Sequence, residues 1–301
     1  MSELRLRAPA TSANLGPGFD SFALALPLLA EFEVRPARAW AVTVEGDGDG
    51  IPTGDENLFV VSARAVARAE KAHLPPQHVV QRSAIPGGRG LGSSAAAIAA
   101  GAVAANVLLG EPCDRRTLLR IAAEVEGHAD NVAAALYGGV TVAIPTADGP
   151  IATRFAFPRA WRVCIFVPHR KLATKDARAA LPAQVSRADA VFNLAHASAL
   201  LAAILRADGA LVSLAMADRL HEPARAKLVP GLDDVIAGAR SAGAFGAALS
   251  GAGPAVLAFA PTRLAPRVVA AMEEAADAAG SSGRARVLRV RAAGVQIRSA
   301  P

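Results

Sequence analysis

The stretch SAIPGGRGLGSSAAAIAAG, residues 83–101, constrains this chain more than any other. Gly87, Gly88, Gly90 and Gly92 stand between an extended apolar segment and a long alanine-rich run, with Ser93 and Ser94 at the join. A strand must turn sharply into a helix there. Glycine takes up left-handed backbone and lets a partner come close to bare main chain. The first turn of a helix leaves amide N–H groups without acceptors and carries the positive end of the helix dipole. An anion at that point completes the hydrogen bonding. An ordinary strand-to-helix turn with serine caps uses the same residue types, so the loop alone leaves both readings open. Spacing removes two other phosphate loops. A Walker A loop needs Lys before its Ser or Thr, and here Gly92 is followed directly by Ser93 and Ser94. A dinucleotide fingerprint needs an acid closing a second strand about 20 residues on. Glu111 and Pro112 fall there, at the end of a helical run. What remains is a phosphate loop without lysine.

On either side the apolar period switches between two and 3.6. Leu4, Leu6 and Ala8 alternate with Arg5 and Arg7. Phe22, Leu24, Leu26 and Leu28, then Phe32 and Val34, then Trp40, Val42 and Val44 read as several short extended segments. Residues 58–73, the run from Ser94, and a segment capped by Asp114 with Leu118, Ile121, Ala122 and Val125 in register read as helices. The second half holds the strand WRVCIFVP and helical patterns near 186–206, 209–220 and 231–242. AFGAALSGAGPAVLAFA reads as two strands around a small-residue turn, followed by a helix over 263–279 and the strand ARVLRVRA. TADGPIATRFAFPRA (146–160) separates units 1–155 and 156–301, and the class is α+β.

Composition excludes several classes. Hydrophobic residues make up 52% and charged residues 19%, so the chain can bury a core and is not disordered. The formal net charge is +6, carried mostly by arginine. Such a balance first suggests nucleic acid. The arginines are scattered, with no run and no interleaved aromatics to stack on bases, so no nucleic-acid partner is expected. Residues 94–109 come nearest to a membrane span, but the run is short, mostly alanine and interrupted by Asn106. A buried helix is expected there, and no membrane partner. Cys113 and Cys164 match no metal spacing, and MSELRLRAPATS holds no apolar leader. Both features point to the cytoplasm.

Pro86 with Gly90-Leu91-Gly92-Ser93-Ser94-Ala95-Ala96 resembles the phosphate loop of the GHMP kinases. Their substrates are galactose, homoserine, mevalonate and phosphomevalonate. PATSANLGPGFD (9–20), EGHADNVAAALYGG (126–139), TKDAR (174–178) and HEPAR (221–225) are similar to the branch that acts on homoserine, and LSGAGPAVLAF (249–259) is similar to the family's C-terminal glycine motif. The resemblance spans nearly the whole chain in order. It implies a two-domain GHMP kinase fold: an N-terminal domain like the second domain of ribosomal protein S5 and a ferredoxin-like C-terminal domain. ATP would lie between them, and a homodimer is a further expectation.

The resemblance also implies roles. The triphosphate of ATP would lie over Pro86, Gly87, Gly88, Arg89, Gly90, Leu91, Gly92, Ser93, Ser94, Ala95 and Ala96, with Asn57 near the adenine. Ser94 and Glu124 would hold Mg²⁺, with Glu126 close behind Glu124. L-homoserine would meet Asn14, Asp20, His128 and Asp130, and its carboxylate Arg178 and Arg225. Catalysis would fall to Asp130, Asn131 and Thr174. Asp130 is either a base or one part of an alignment device, since phosphoryl transfer through a loose transition state needs little activation of the nucleophile. Two other readings stay open: a kinase of the same fold for another small alcohol such as mevalonate, and a non-catalytic S5-like binding module.

Overall fold

The apolar residues of 22–34 form one strand rather than several. In the computed structural model, which describes residues 3–46 and 50–298, β1 (Leu4–Ala13) runs antiparallel to β2 (Phe22–Pro36). The register runs from Leu4 opposite Val34 to Pro9 opposite Leu29, shifts, and resumes with Ala10 opposite Leu26. Pro27 falls in that shift. A bulge tolerates a residue that cannot donate to the ladder, so the strand continues past it. β3 (Ala41–Gly46) and β4 (Gln77–Ser83) pair in parallel through the crossover helix α1 (Leu58–Ala69). One edge of β2 is divided: β4 covers Ala30–Pro36 and β5 (Val140–Ile144) covers Phe22–Leu24.

The glycine bend leads from β4 into α2 (Ser93–Leu108), which is hydrophobic on all sides and almost wholly buried. Alanine makes this burial workable, because a methyl group lets neighbours approach from every direction. Those neighbours are α1, β1, α3 (Arg115–Glu126) and α4 (Asp130–Tyr137). Asp114 caps α3 by accepting from the Thr117 amide, as its position predicts. β6 (Ile151–Phe155) pairs with β5 and ends the part of the chain that builds the first sheet in sequence.

The second sheet begins with β7 (Trp161–Pro168). Val163 and Ile165 face the large core shared with the first sheet, while Cys164 and Phe166 face a second core. Both faces are therefore dry, which accounts for the unbroken apolar run. Between β7 and β8 (Gly246–Leu249) lie α5 (Thr174–Ala179), α6 (Arg187–Arg206), α7 (Gly209–Ala215), α8 (Glu222–Ala226) and α9 (Leu232–Ser241). Then come β9 (Val256–Pro261), α10 (Ala265–Ala278) and β10 (Gly283–Leu288). The strand order β10-β7-β9-β8, all antiparallel, is the βαββαβ ferredoxin-like arrangement.

Three expectations need correcting. The helical pattern at 209–220 stops at Ala215, because Asp218 collects the Leu220, His221 and Glu222 amides and starts α8. The helix nearest a membrane span in length and apolarity is α6, not the run at 94–109. α6 buries Asn193, Leu200, Ala203 and Ile204 and exposes Val191, Leu194 and Leu205. Last, the chain recrosses the expected boundary at 155/156: β11 (Gln296–Arg298) returns to pair with β1, completing the order β11-β1-β2-β4-β3. It is too short and too polar to announce itself.

α2 and α1 touch through Gly101, where an added methyl group would strike the Phe59 carbonyl. Gly101→Ala should therefore lower the unfolding free energy by about 1–3 kcal/mol. Gly87→Ala, at a position with open space around it, should leave it within about 0.5 kcal/mol. Urea titration of the two variants checks the contrast.

Candidate active site

The bend closes on a second glycine turn. Gly88, Gly90 and Gly92 have φ of 66°, 74° and 64°. A side chain at Gly90 would run into the Ser250 carbonyl, and one at Gly92 into the Thr11 hydroxyl. Glycine is required at both by left-handed backbone and by close approach. Gly92 is the N-cap of α2, and no side chain caps the helix. The Ser94 hydroxyl instead donates to Glu126 Oε1 at 2.6 Å. The serine-capped turn is thus not what the loop forms, and the first-turn amides are left for a ligand.

These amides open on a cavity of ≈ 170 Å³ between the two sheets. Residues from every part of the chain line it: Asn14 and Asp20 from the β1–β2 loop, Pro86, Gly88 and Gly90 to Ser94 from the bend, Glu126, His128, Asp130 and Asn131 from the α3–α4 turn, Thr174 and Arg178 from α5, and Arg225 from α8. Gly251 and Ala252 complete it, from the turn between β8 and β9. Gly88, Ser93 and Ser94 also line a neighbouring apolar cavity of ≈ 370 Å³ walled by Ile51, Pro52, Leu58, Ala97 and Leu172. Lys171 reaches that second cavity and was not singled out from sequence; it lies outside any loop motif.

The charged groups form short pairs. Arg178 holds Asp20 in a two-pronged bond, Nη2 to Oδ1 at 2.9 Å and Nη1 to Oδ2 at 3.1 Å. His128 Nδ1 donates to Asp130 Oδ1 at 2.6 Å, and the Asn131 amide donates to the same oxygen at 2.6 Å. Asn131 Oδ1 accepts from the Thr11 hydroxyl at 2.6 Å. Arg225 is buried; its Nε donates to the Ala177 carbonyl and its Nη1 to the Gly251 carbonyl, and no carboxylate pairs with it among the described residues. Burial raises the Glu126 carboxyl above its ordinary range, against the pull of Ser94 and His128. Burial pulls His128 down, but the bond to Asp130 and the charges of Asp130 and Glu126 outweigh it and the net shift is upward. Burial, then the nearby Arg178, lowers Arg225. Asp20, His128 and Asp130 bring ligand atoms within 4.8 Å of one another, but Arg178, His128 and Asn131 already occupy these carboxylates.

Five expected site residues stand elsewhere or act differently. Glu124 lies on the exposed face of α3, paired with Arg120 at 3.0 Å, half a turn from the cavity. Helical geometry puts Glu126, not Glu124, beside Ser94. Arg89 turns away from the cavity and donates to the Pro168, His169 and Gly87 carbonyls, which ties the bend to the end of β7. Ala95 and Ala96 are wholly buried in the helix. Asn57 lines the apolar cavity, but its amide is spent on the Pro52 carbonyl and on capping α1 through the Phe59 amide.

Two family models match, GHMP kinases N terminal domain over residues 57–139 and GHMP kinases C terminal over residues 200–278. The homoserine kinase of Deinococcus radiodurans is 46% identical over 255 residues, which is 84% of this chain and 83% of that protein. That of Desulfitobacterium hafniense is 39% identical over 98% of this chain and 99% of its own.

The chain belongs to the GHMP kinases, in their homoserine kinase branch.

A crystal structure of homoserine kinase from Cytophaga hutchinsonii superposes on this GHMP kinase with a TM-score of 0.89 at 32% identity, covering 99% of this chain and 98% of the other. The fold implied by the sequence motifs is thus the fold of the family. On α8 of this GHMP kinase, the half-buried Glu222 accepts from the Leu249 amide. Burial moves its carboxyl from an ordinary 4.5 to about 7. Across that window the native protein keeps a proton that the unfolded chain has released. Stability from this group therefore falls as pH rises, by about 1 kcal/mol per pH unit. Glu222→Gln, which keeps an acceptor oxygen, should flatten the curve of urea stability against pH over that window.

Proposed function

We propose that the protein transfers the γ-phosphoryl group of ATP to the side-chain hydroxyl of L-homoserine, giving ADP and O-phospho-L-homoserine, a step toward threonine. One observation carries this reading: a single cavity joins the uncapped amides of α2 to the guanidinium groups of Arg178 and Arg225 by way of Asn14, Asp20 and His128. An amino acid with a terminal hydroxyl meets each of these. Its carboxylate suits the guanidinium pair, Arg225 having no acid of its own. Its ammonium suits the Asp20 carboxylate and Asn14 Oδ1. His128 and Thr174 are then left for the hydroxyl and the phosphoryl group. The apolar cavity beside Leu58 and Leu172 suits adenine, and the triphosphate follows from it along the bend.

The Ser94 hydroxyl and the buried Glu126 carboxylate are hard oxygen donors held together at the helix start, and they fit Mg²⁺. When bound, Mg²⁺ would neutralise charge on the phosphate oxygens. The protein's own part is mainly positional. Asp130 Oδ1 holds His128 and the Asn131 amide, while Asn131 Oδ1 is taken by Thr11. These bonds orient side chains around the cavity. Acceleration then comes from alignment of the hydroxyl and from amides facing the developing charge. The two cysteines, both buried and unpaired, are in keeping with a reducing compartment, and the cytoplasm is part of this reading.

ADP release measured separately with L-homoserine, mevalonate and galactose tests the substrate. Turnover with homoserine and a phosphorylated product by mass spectrometry is expected; turnover with another alcohol in its place would reassign the substrate. Glu126→Gln should lower kcat on the order of 100-fold, while Glu124→Gln stays within about twofold, because its carboxylate serves only an exposed ion pair with Arg120.

A further inference from the structure

Arg225 and the loop that carries Asn14 and Asp20 come from distant parts of the chain, and the loop's own hydrogen bonds, such as Asp20 N–H to Asn14 Oδ1, do not fix it relative to Arg225. Asn14, Leu15 and Asp20 have φ of 69°, 53° and 53°, a left-handed backbone that residues with side chains keep only under outside restraint. Arg225 has a buried guanidinium whose Cζ lies 5.4 Å over the Phe19 ring. His221 reaches both. It is fully buried, with Nε2 2.8 Å from the Gly16 carbonyl oxygen and Nδ1 3.3 Å from Arg225 Nη1. A carbonyl only accepts and a guanidinium only donates. The ring must therefore be neutral, with its proton on Nε2 and a lone pair on Nδ1. Phe19 stacks on the ring at 5.3 Å. Asp218 Oδ2 lies 3.8 Å from Nε2, but it already accepts from the Leu220, His221 and Glu222 amides. Asn193 adds a second tie, donating to the Pro17 carbonyl and to Asp218.

We infer that His221 is a positioning residue for the amino-acid end of the substrate: as the Nε2–H tautomer it fixes Arg225 and the Asn14–Asp20 loop at one spacing. This rests on the reading of Arg225 and Asp20 as the groups that meet homoserine. The carboxylate site and the ammonium site are set by one ring, so a substrate with both charges benefits from it. No bond of His221 itself touches the bend before α2, so ATP recognition should depend on it less than homoserine recognition does.

The test uses His221→Gln and His221→Asn in the full-length enzyme. Glutamine can carry an amide nitrogen near the place of Nε2 and loses the acceptor for Arg225. Asparagine can keep an acceptor near Nδ1 and loses the reach to Gly16. Each variant should raise KM for L-homoserine roughly tenfold, the effect of losing one hydrogen bond in or beside a charged site. KM for ATP should move less than about twofold, and kcat should fall less than KM rises. A purely structural role would reduce the folded fraction without separating the two KM values. An unchanged KM for homoserine, or equal rises for both substrates, overturns the inference. In wild-type protein labelled with ¹⁵N-histidine, a neutral Nε2–H signature for the buried ring supports it and an Nδ1–H or doubly protonated ring overturns it, whatever the variants' stability. Wild-type turnover with homoserine is the control. Its absence sinks the substrate assignment, whereas its presence beside an unchanged variant KM sinks only the role of His221.

Discussion

A helix that starts in the interior without a cap is the constraint on which this structure depends. α2 can lie among α1, β1, α3 and α4 because half of its residues are alanine, and its first amides then face inward rather than toward bulk water. The aligned peptide dipoles place about half a positive charge at that end. The two halves of the chain meet around this point. Ser250 donates to the Gly90 carbonyl and pairs with Ser12, and Arg89 clamps the bend to the end of β7. The bend is held from both sheets, so neither half forms the cavity alone.

The charges around that point are arranged in local pairs with one exception. Asp20 is matched by Arg178, Asp130 by His128 and the Asn131 amide, and Glu126 by Ser94. Among the described residues around the cavity, Arg225 alone is buried without an acid, which costs desolvation energy that only a ligand or neighbouring carbonyls can offset. On the function proposed above, a zwitterionic ligand would supply the missing anion to Arg225 and a cation to Asp20, exchanging partners rather than adding net charge to a closed site.

Much of this was legible from residues alone, for identifiable reasons. Gly90 and Gly92 announce the bend because only glycine survives against Ser250 and Thr11. Asp114 announces α3 because a side-chain acceptor at an N-cap is a local event. The choice between Glu124 and Glu126 was not legible, since both precede the same turn and the answer depends on which face of α3 meets α2. Arg89 looked like a phosphate ligand because it sits inside the loop motif, yet its partners are carbonyls some eighty residues away, such as His169. Leu28 and Phe32 read as members of separate segments, and only the pairing with β1 and β4 shows a single strand that bulges at Pro27. β11 escaped because three mostly polar residues carry no period.

That last strand has a consequence for synthesis. Among the described strands β1 is made before all the others, and its outer neighbour β11 after all the others. While translation proceeds, the open edge of β1 has no covering strand of its own and remains a template for stray pairing. Gln296–Arg298 is made after the strands of both layers, and only then can it dock beside Arg5–Arg7 and close that edge, so the N-terminal sheet is finished after the ferredoxin-like layer, although it was begun first.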